Sequence, residues 1–207
     1  MLTFETTPYG PLSCNCTLVW DDETRTGVVI DPSDEAPRIR QRVEALGFRV
    51  TALLHTHAHF DHLGASHALQ DLWKIPAYLH PGDDPLVANL AMQTSFFGMK
   101  PIPAPIMQPL APGDRHHGLT VIHTPGHSPG GCCFLGQGAQ GPFLVAGDTL
   151  FQGGVGRTDL FGGDWDTLEA SIRQHLYTLD DATRVLPGHG PMTTIGAEAR
   201  HNPFVRR

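Results

Sequence analysis

Four side chains able to bind a metal ion crowd into six residues, His57-Ala58-His59-Phe60-Asp61-His62, at relative positions i, i+2, i+4 and i+5. A strand gathers alternate residues and a helix every third or fourth, so neither collects this spacing on one face. The run is therefore a loop, entered from the apolar stretch Val50 to Leu54 and left through Gly64. Such a loop can turn all four side chains into one pocket, and imidazole with carboxylate is a donor set that suits zinc and similar ions. A polar surface turn would explain one histidine; four potential ligands entered from a buried strand favour a metal site.

Three further segments set a polar residue beside glycine at the end of a strand: Pro125-Gly126-His127, Gly147-Asp148-Thr149 and Pro187-Gly188-His189. Glycine there lets backbone pass close to a metal site. His57, His59, Asp61, His62, His127, Asp148 and His189 make seven candidate ligands. That is too many for one tetrahedral ion and fits two ions sharing a carboxylate.

The elements that must carry these loops follow from the apolar pattern. Thr17 to Trp20 and Val28 to Ile30 read as strands, the second stopped by Asp31-Pro32. A helix follows, with Asp34 as its cap, Pro37 in its first turn and Gly47 at its C-terminal end. Val50 to Leu54 is a buried strand, and Ala65, Ala68, Leu69, Leu72 and Trp73 mark the apolar face of the helix after the loop. Residues 100 to 113 hold five prolines, which excludes regular helix or a central strand and marks a stiff seam between two βαβ-rich halves of one domain spanning 1–207. Beyond it, strands are expected at Leu119 to His123, Cys132 to Leu135 and Phe143 to Ala146. A helix with an Asp166/Glu169 capping box and a last strand, Arg184 to Leu186, complete the second half. Strands alternating with helices give an α/β domain with helices outside sheet layers.

The 207 residues are 40% hydrophobic and 17% charged, the balance of a globular chain, and no apolar run approaches the ~18 residues of a membrane span. The N-terminus has neither a basic stretch nor an apolar core, so a cytoplasmic location is expected. A net charge of -7 opposes binding to nucleic acid or anionic membranes and leaves a small-molecule substrate as the expected partner. Cys14, Cys16, Cys132 and Cys133 form tight pairs unlike a zinc finger or a disulfide framework and read as buried free thiols. Of the thirteen histidines, His67, His80, His116, His117, His175 and His201 have no ligand-like neighbours. Strand parity puts His55 on the same side as His57, within reach of an outer-shell contact.

Thr56 to His62 matches THxHxDH, and with the later His, Asp and His in order the chain resembles the metallo-β-lactamase superfamily over nearly its whole length. The stretches GDTLFQGGVGRTDLFGGD (147 to 164) and PGHGPMTTIGAEARHNPF (188 to 204) are similar to those of short bacterial glyoxalase II-like hydrolases. The resemblance implies the four-layered αββα sandwich. It implies His57, His59 and His127 on one metal ion, Asp61, His62 and His189 on the other, and Asp148 as the bridge, with zinc foremost and iron or manganese as alternatives. Asp31 would support the metal loop without binding metal, and Arg157 would lie on the thiol-binding side. Two such ions lower the pKa of a shared water toward ~7 and stabilise an oxyanion; Asp61 would orient the bridging hydroxide and help protonate the leaving group.

The implied activity is thioester hydrolysis of glyoxalase II type, on S-acylglutathione or a related acyl thiol. The chain ends about twenty residues after Pro187-Gly188-His189, without the helical region of full-length glyoxalase II, and Asp159 stands where a tyrosine is expected. The alternative is a persulfide dioxygenase with one iron on His57, His127 and Asp148, whose relatives have Asp-Tyr after the last histidine where this chain has Gly-Pro. A β-lactamase, which often has Cys or no bridge at the Asp148 position, ranks lower. So does an inert metal-binding protein, since structural zinc sites are closed by four protein ligands.

Overall fold

Strand after strand in this chain is buried on both faces, which is why its apolar residues run together instead of alternating with polar ones. In the computed structural model, which describes residues 1–207, the first half comprises β1 (Leu2–Tyr9), β2 (Cys14–Asp21), β3 (Thr26–Ile30), α1 (Ala36–Leu46), β4 (Arg49–Leu54), α2 (Phe60–Leu63), α3 (Ser66–Trp73), β5 (Ala77–Leu79), α4 (Asp84–Ala88), α5 (Leu90–Phe96) and β6 (Met107–Pro109). The second half comprises β7 (Arg115–His116), β8 (Leu119–His123), β9 (Cys132–Gly138), β10 (Gly141–Gly147), the small hairpin β11 (Leu150–Phe151) and β12 (Gly154–Val155), α6 (Trp165–Ser171), β13 (Arg184–Pro187), β14 (Thr193–Thr194) and α7 (Ile195–His201).

β1, β2 and β3 form an antiparallel meander, and β4, β5 and β6 continue it in parallel. In the other sheet β8, β9 and β10 are antiparallel, and β10 pairs in parallel with β13. The two sheets meet at one pairing, Leu2 of β1 with Gly138 of β9. They pack face to face over a core to which Val28, Ile30 and Leu54 contribute from the first sheet, and Phe134, Phe143 and Val145 from the second. The intervening residues face outward under helices. Trp20, Val29 and Leu53 pack with Ile39 of α1 and Leu69 of α3, while Leu144, Ala146 and Val185 pack with Leu168 of α6 and Ala199 of α7. Three apolar layers between four structural layers are the αββα sandwich.

Several local expectations need correction. Helix α1 begins after Glu35, at φ 55°, rather than under an Asp34 cap, although Pro37 lies in its first turn and Gly47 closes it at φ 69°. Asp164, not Asp166, caps α6 by accepting from Thr167 N, and Glu169 pairs with Arg173 instead. The helical pattern after the loop is broken into α2 and α3, and Leu72 is 50% exposed. The second half holds one parallel crossover, β10 to β13, so the βαβ grammar is fainter there than expected. The proline-rich segment is irregular except for β6 at the sheet edge, where proline is tolerated. No helix is long and apolar enough to cross a membrane.

The loop after β8 is fastened to α6: Asp164 N donates to Gly126 O at 2.8 Å and Ser171 Oγ to Pro125 O at 2.8 Å. Gly126 sits at φ 128°, and a Cβ there would fall 2.3 Å from Leu168 N. Gly126→Ala should therefore cost about 3 kcal/mol or more and push the His127 loop off the helix. Thermal unfolding checks this, and an unchanged melting temperature would refute the close approach.

Candidate metal centre

Every candidate ligand leaves the C-terminal end of a strand at the same end of the sandwich. His57, His59, Asp61 and His62 follow β4, the last two on α2; His127 follows β8, Asp148 follows β10 and His189 follows β13. The loops are stitched by backbone: Cys132 N donates to Thr56 O, Gly188 N to Gly147 O, and Asn15 N to Gly188 O, each at 2.7 Å.

The donor atoms of His57, His59 and His127 lie within 4.8 Å of one another, and so do those of Asp61, His62 and His189. Asp148 stands between the two triads. Its Oδ1 lies 3.4 Å from His62 Nε2, and its Oδ2 lies 3.6 Å from His127 Nε2 and 3.7 Å from His189 Nε2. Asp61 Oδ2 lies 3.2 Å from His189 Nε2 and 3.8 Å from His62 Nε2.

The fit of this cage to cations can be read from its atoms. His57 Nε2, His62 Nε2 and Asp148 Oδ1 are buried without any hydrogen-bond partner, a costly state for polar atoms that a cation relieves. A Cβ on Gly188 would come within 2.1 Å of Asp148 Oδ1 and 2.8 Å of His62 Cε1, so only glycine leaves the cage open there.

Hydrogen bonds outside the cage select the ring nitrogen that faces in. His62 Nδ1 is 3.0 Å from Asp31 Oδ2, His127 Nδ1 2.7 Å from Arg157 O, and His189 Nδ1 3.2 Å from Leu12 O. Each of those acceptors takes an N–H and leaves Nε2 with its lone pair toward the cage. Thr56 Oγ1 serves His57 Nδ1 in the same way at 3.0 Å, while donating its own hydrogen to Asp31 Oδ2 at 2.6 Å. His59 alone presents Nδ1, 2.9 Å from His127 Nε2. Asp31, fully buried and at φ 49°, also accepts from Thr56 N at 2.8 Å, so it supports the loop from outside the cage.

The electrostatics of the protein groups are those of an anion cradle among imidazoles. Burial pushes the carboxyl of Asp148 upward, but His62, His127 and His189 outweigh it and hold the group well below the usual carboxylate range. Burial, followed by the neighbouring His62, His59 and His127, pulls His57 well below an ordinary histidine, leaving a neutral ring suited to ligation.

Three positioning residues give no motif signal. Asp83, fully buried at the end of a 3-10 turn, accepts from Ala58 N at 2.9 Å, Ser128 Oγ at 2.9 Å and Gly130 N at 2.6 Å. It thereby joins the loops of the first triad across the two halves. Asn15 donates to Pro187 O and Gly190 O, both at 2.9 Å, on either side of His189. Gln93 of α5 braces the first loop, accepting from Phe60 N and donating to Ala58 O. A buried polar residue far from its partners in sequence shows no spacing that could reveal it.

His55 is buried but bonded away from the cage, to Tyr78 O at 3.0 Å and Ser66 Oγ at 2.8 Å, and serves as a structural strap. The free, buried Cys14 lies within 4.8 Å of the Asp61, His62 and His189 donors, a proximity that the cysteine spacing did not suggest. Burial pushes its thiol up to about 12. Arg157 lies at the mouth of the cleft over the cage, but its side chain is 57% exposed and held by both oxygens of Asp159 at 2.7 Å.

A sequence model described as the metallo-beta-lactamase superfamily matches residues 9–189. The chain is 39% identical to a probable metallo-hydrolase, YqgX, of Bacillus subtilis over 96% of this chain and 95% of that one. It is 37% identical to hydroxyacylglutathione hydrolase GloC of Haemophilus influenzae over 99% and 98%. Among solved structures, TTHA1623 in a di-iron-bound form shares 42% identity at a TM-score of 0.88, covering 97% of this chain and all of that one. The B3 metallo-beta-lactamase BLEG-1 shares 37% at 0.85 over 98% and 99%, and ETHE1 from Myxococcus xanthus 29% at 0.78 over 97% and 83%.

Asp83→Ala would strand two amides and a hydroxyl, each costing ~1–3 kcal/mol. We expect about 3 kcal/mol of lost stability and roughly ten- to hundredfold weaker metal binding, although Asp83 touches no ligand atom. Chemical denaturation and competition with a chromophoric chelator measure the two effects; unchanged metal affinity would show that the clamp does not position the triad.

Proposed function

The chain belongs to the metallo-β-lactamase superfamily, a fold that binds divalent metal ions, and from that premise we propose that this metallo-hydrolase cleaves thioesters of glyoxalase II type at a two-ion site. The observation that carries the proposal is Asp148, whose carboxylate lies within 3.7 Å of His127 in one triad and of His62 and His189 in the other. His57, His59 and His127 would hold one ion, Asp61, His62 and His189 the other, and Asp148 both. Zinc is the foremost candidate, with iron beside it given the di-iron form of TTHA1623, and manganese as a further alternative. Two ions held this way would supply Lewis acidity and lower the pKa of a bound water.

The protein's own groups do the rest. Asp61, with a side chain 15% exposed at the cleft floor, faces both the cage and the entering substrate. We assign it the alignment of the attacking oxygen and the return of a proton to the departing sulfur. A thiolate leaves readily, so one partly exposed carboxylate suffices as the acid where an amine or alkoxide would demand more. The name of the GloC relative supports a thioester in the same direction. Chemistry at a single iron on His57, His127 and Asp148 would leave the convergence of Asp61, His62 and His189 unused, which favours the hydrolase. The partner is a small molecule that enters the cleft.

Under nitrogen the metal-loaded protein should release free thiol from an acyl thiol, and Asp148→Ala should lose at least about a thousandfold in kcat/KM, ~4 kcal/mol of transition-state stabilisation. Thiol release that requires oxygen, or rapid oxygen uptake with glutathione persulfide, would overturn the assignment. Because Arg157 is already paired with Asp159 in the open, Arg157→Ala should change kcat/KM on S-lactoylglutathione by no more than about threefold. A loss of a hundredfold would show that the pair opens to bind the thiol's carboxylates.

A further inference from the structure

The wall of the cleft is apolar where a charged thiol would need cations. A cavity of about 780 Å3, within the usual range of small-molecule sites, opens over His59, Asp61, His127, Asp148 and His189. One side of it is the surface of α5 and its flanks, where Asn89, Met92, Gln93, Phe96 and Phe97 follow i, i+3, i+4, i+7 and i+8. That periodicity normally marks the buried face of a helix. Here the buried face is a different one, carrying Leu90 and Thr94, so α5 spends large apolar residues twice. Met92 is 69% exposed and Phe96 83%, and Phe161, which lines the same cavity, is 70% exposed. Exposed apolar side chains gathered around one cavity mark a binding surface.

Outside the cage, the polar side chains of the lining are largely engaged within the protein. Gln93 accepts from Phe60 N and donates to Ala58 O and Leu86 O, Asn89 Nδ2 donates to Pro85 O, and the one lining Lys or Arg, Arg157, spends Nε and Nη2 on Asp159. The carboxylates of a glutathione moiety would meet a single lining Lys or Arg, whose charge Asp159 already offsets, whereas a hydrocarbon chain would find Met92, Phe96 and Phe161 along its length.

We propose that this cleft recognises a thioester by an apolar arm, a hydrocarbon acyl or alkyl group laid along α5 toward the metal cage, rather than by a charged peptide thiol. The proposal rests on the thioesterase assignment above and names its substrate class. The occupant is the substrate's arm because the apolar face and the candidate ligands line one continuous cavity.

Thioethers of N-acetylcysteamine test binding without catalysis, since their sulfur bears no acyl carbonyl to cleave. A fully buried methylene is worth about fourfold in affinity and a half-buried one about twofold, so S-octyl should bind roughly sixtyfold more tightly than S-ethyl in calorimetry with the metal-loaded protein. The double variant Met92→Ser/Phe96→Ser, whose side chains are exposed, should bring the two thioethers to within about fivefold of each other. Equal affinities in the unmodified protein, or an octyl preference that survives the double variant, would overturn the proposal. So would sedimentation showing a dimer that the double variant dissociates, which would give the face to a second copy. Thiol release separates this from the thioesterase assignment. Octyl-selective binding with no hydrolysis of S-octanoyl-N-acetylcysteamine would refute the assignment and leave the apolar site standing. Equal hydrolysis of S-acetyl and S-octanoyl esters, alongside equal thioether affinities, would do the reverse.

Discussion

Asp148 is a carboxylate in a place that would ordinarily neutralise it. Burial raises the cost of its charge, the imidazoles of His62, His127 and His189 more than repay that cost, and one of its oxygens is left with no hydrogen bond. An anion so placed demands positive charge on both of its sides. Most of the surrounding structure meets that demand. Two strands, β10 and β13, lie parallel so that Asp148 and His189 emerge at one end, and the loop after β4 crosses from the other sheet to supply the rest. A glycine at 188 keeps the space beside Asp148 free.

Rigidity at the cage comes from groups that never enter it. Asp31 takes three hydrogen bonds from Thr56 and His62, Asp83 takes three across the halves, and Asn15 holds the backbone on both sides of His189. Each is a buried acceptor or amide with at least one backbone partner in a cage loop, so displacing a loop would leave a buried polar group unpaired. The sandwich makes such clamps affordable, because helices cover both outer faces and leave only one end of the strands for chemistry.

The residues of the candidate cage were legible because the sequence packs them into short, glycine-flanked segments, and Asp31 because it ends a strand in a resemblance that covers nearly the whole chain. The layers were legible because two-sided burial writes continuous apolar runs such as Phe143 to Ala146. What sequence could not give is contact between distant segments. Asp83 lies in an unremarkable Pro-Gly-Asp turn, and its role exists only once Ala58 and Gly130 arrive beside it. Asn15 is separated from Pro187 by 172 positions. Helix boundaries slipped for a similar reason: Asp164 and Asp166 are both credible caps by composition, and only the docking of the 126 loop on α6 selects the first. The two-faced α5 was silent too, since an apolar residue facing a cleft looks the same in sequence as one facing a core.

In the proposed site the apolar cleft, Asp61 and the outer clamps would surround a pair of ions joined by one carboxylate. Anomalous diffraction from crystals of metal-loaded protein, recorded at the absorption edge of the bound metal, tests that arrangement most directly. Two peaks are predicted, one bonded to His57, His59 and His127, the other to Asp61, His62 and His189, and both to Asp148. A single peak on His57, His127 and Asp148 at full activity, with Asp61, His62 and His189 unligated, would contradict the two-ion centre.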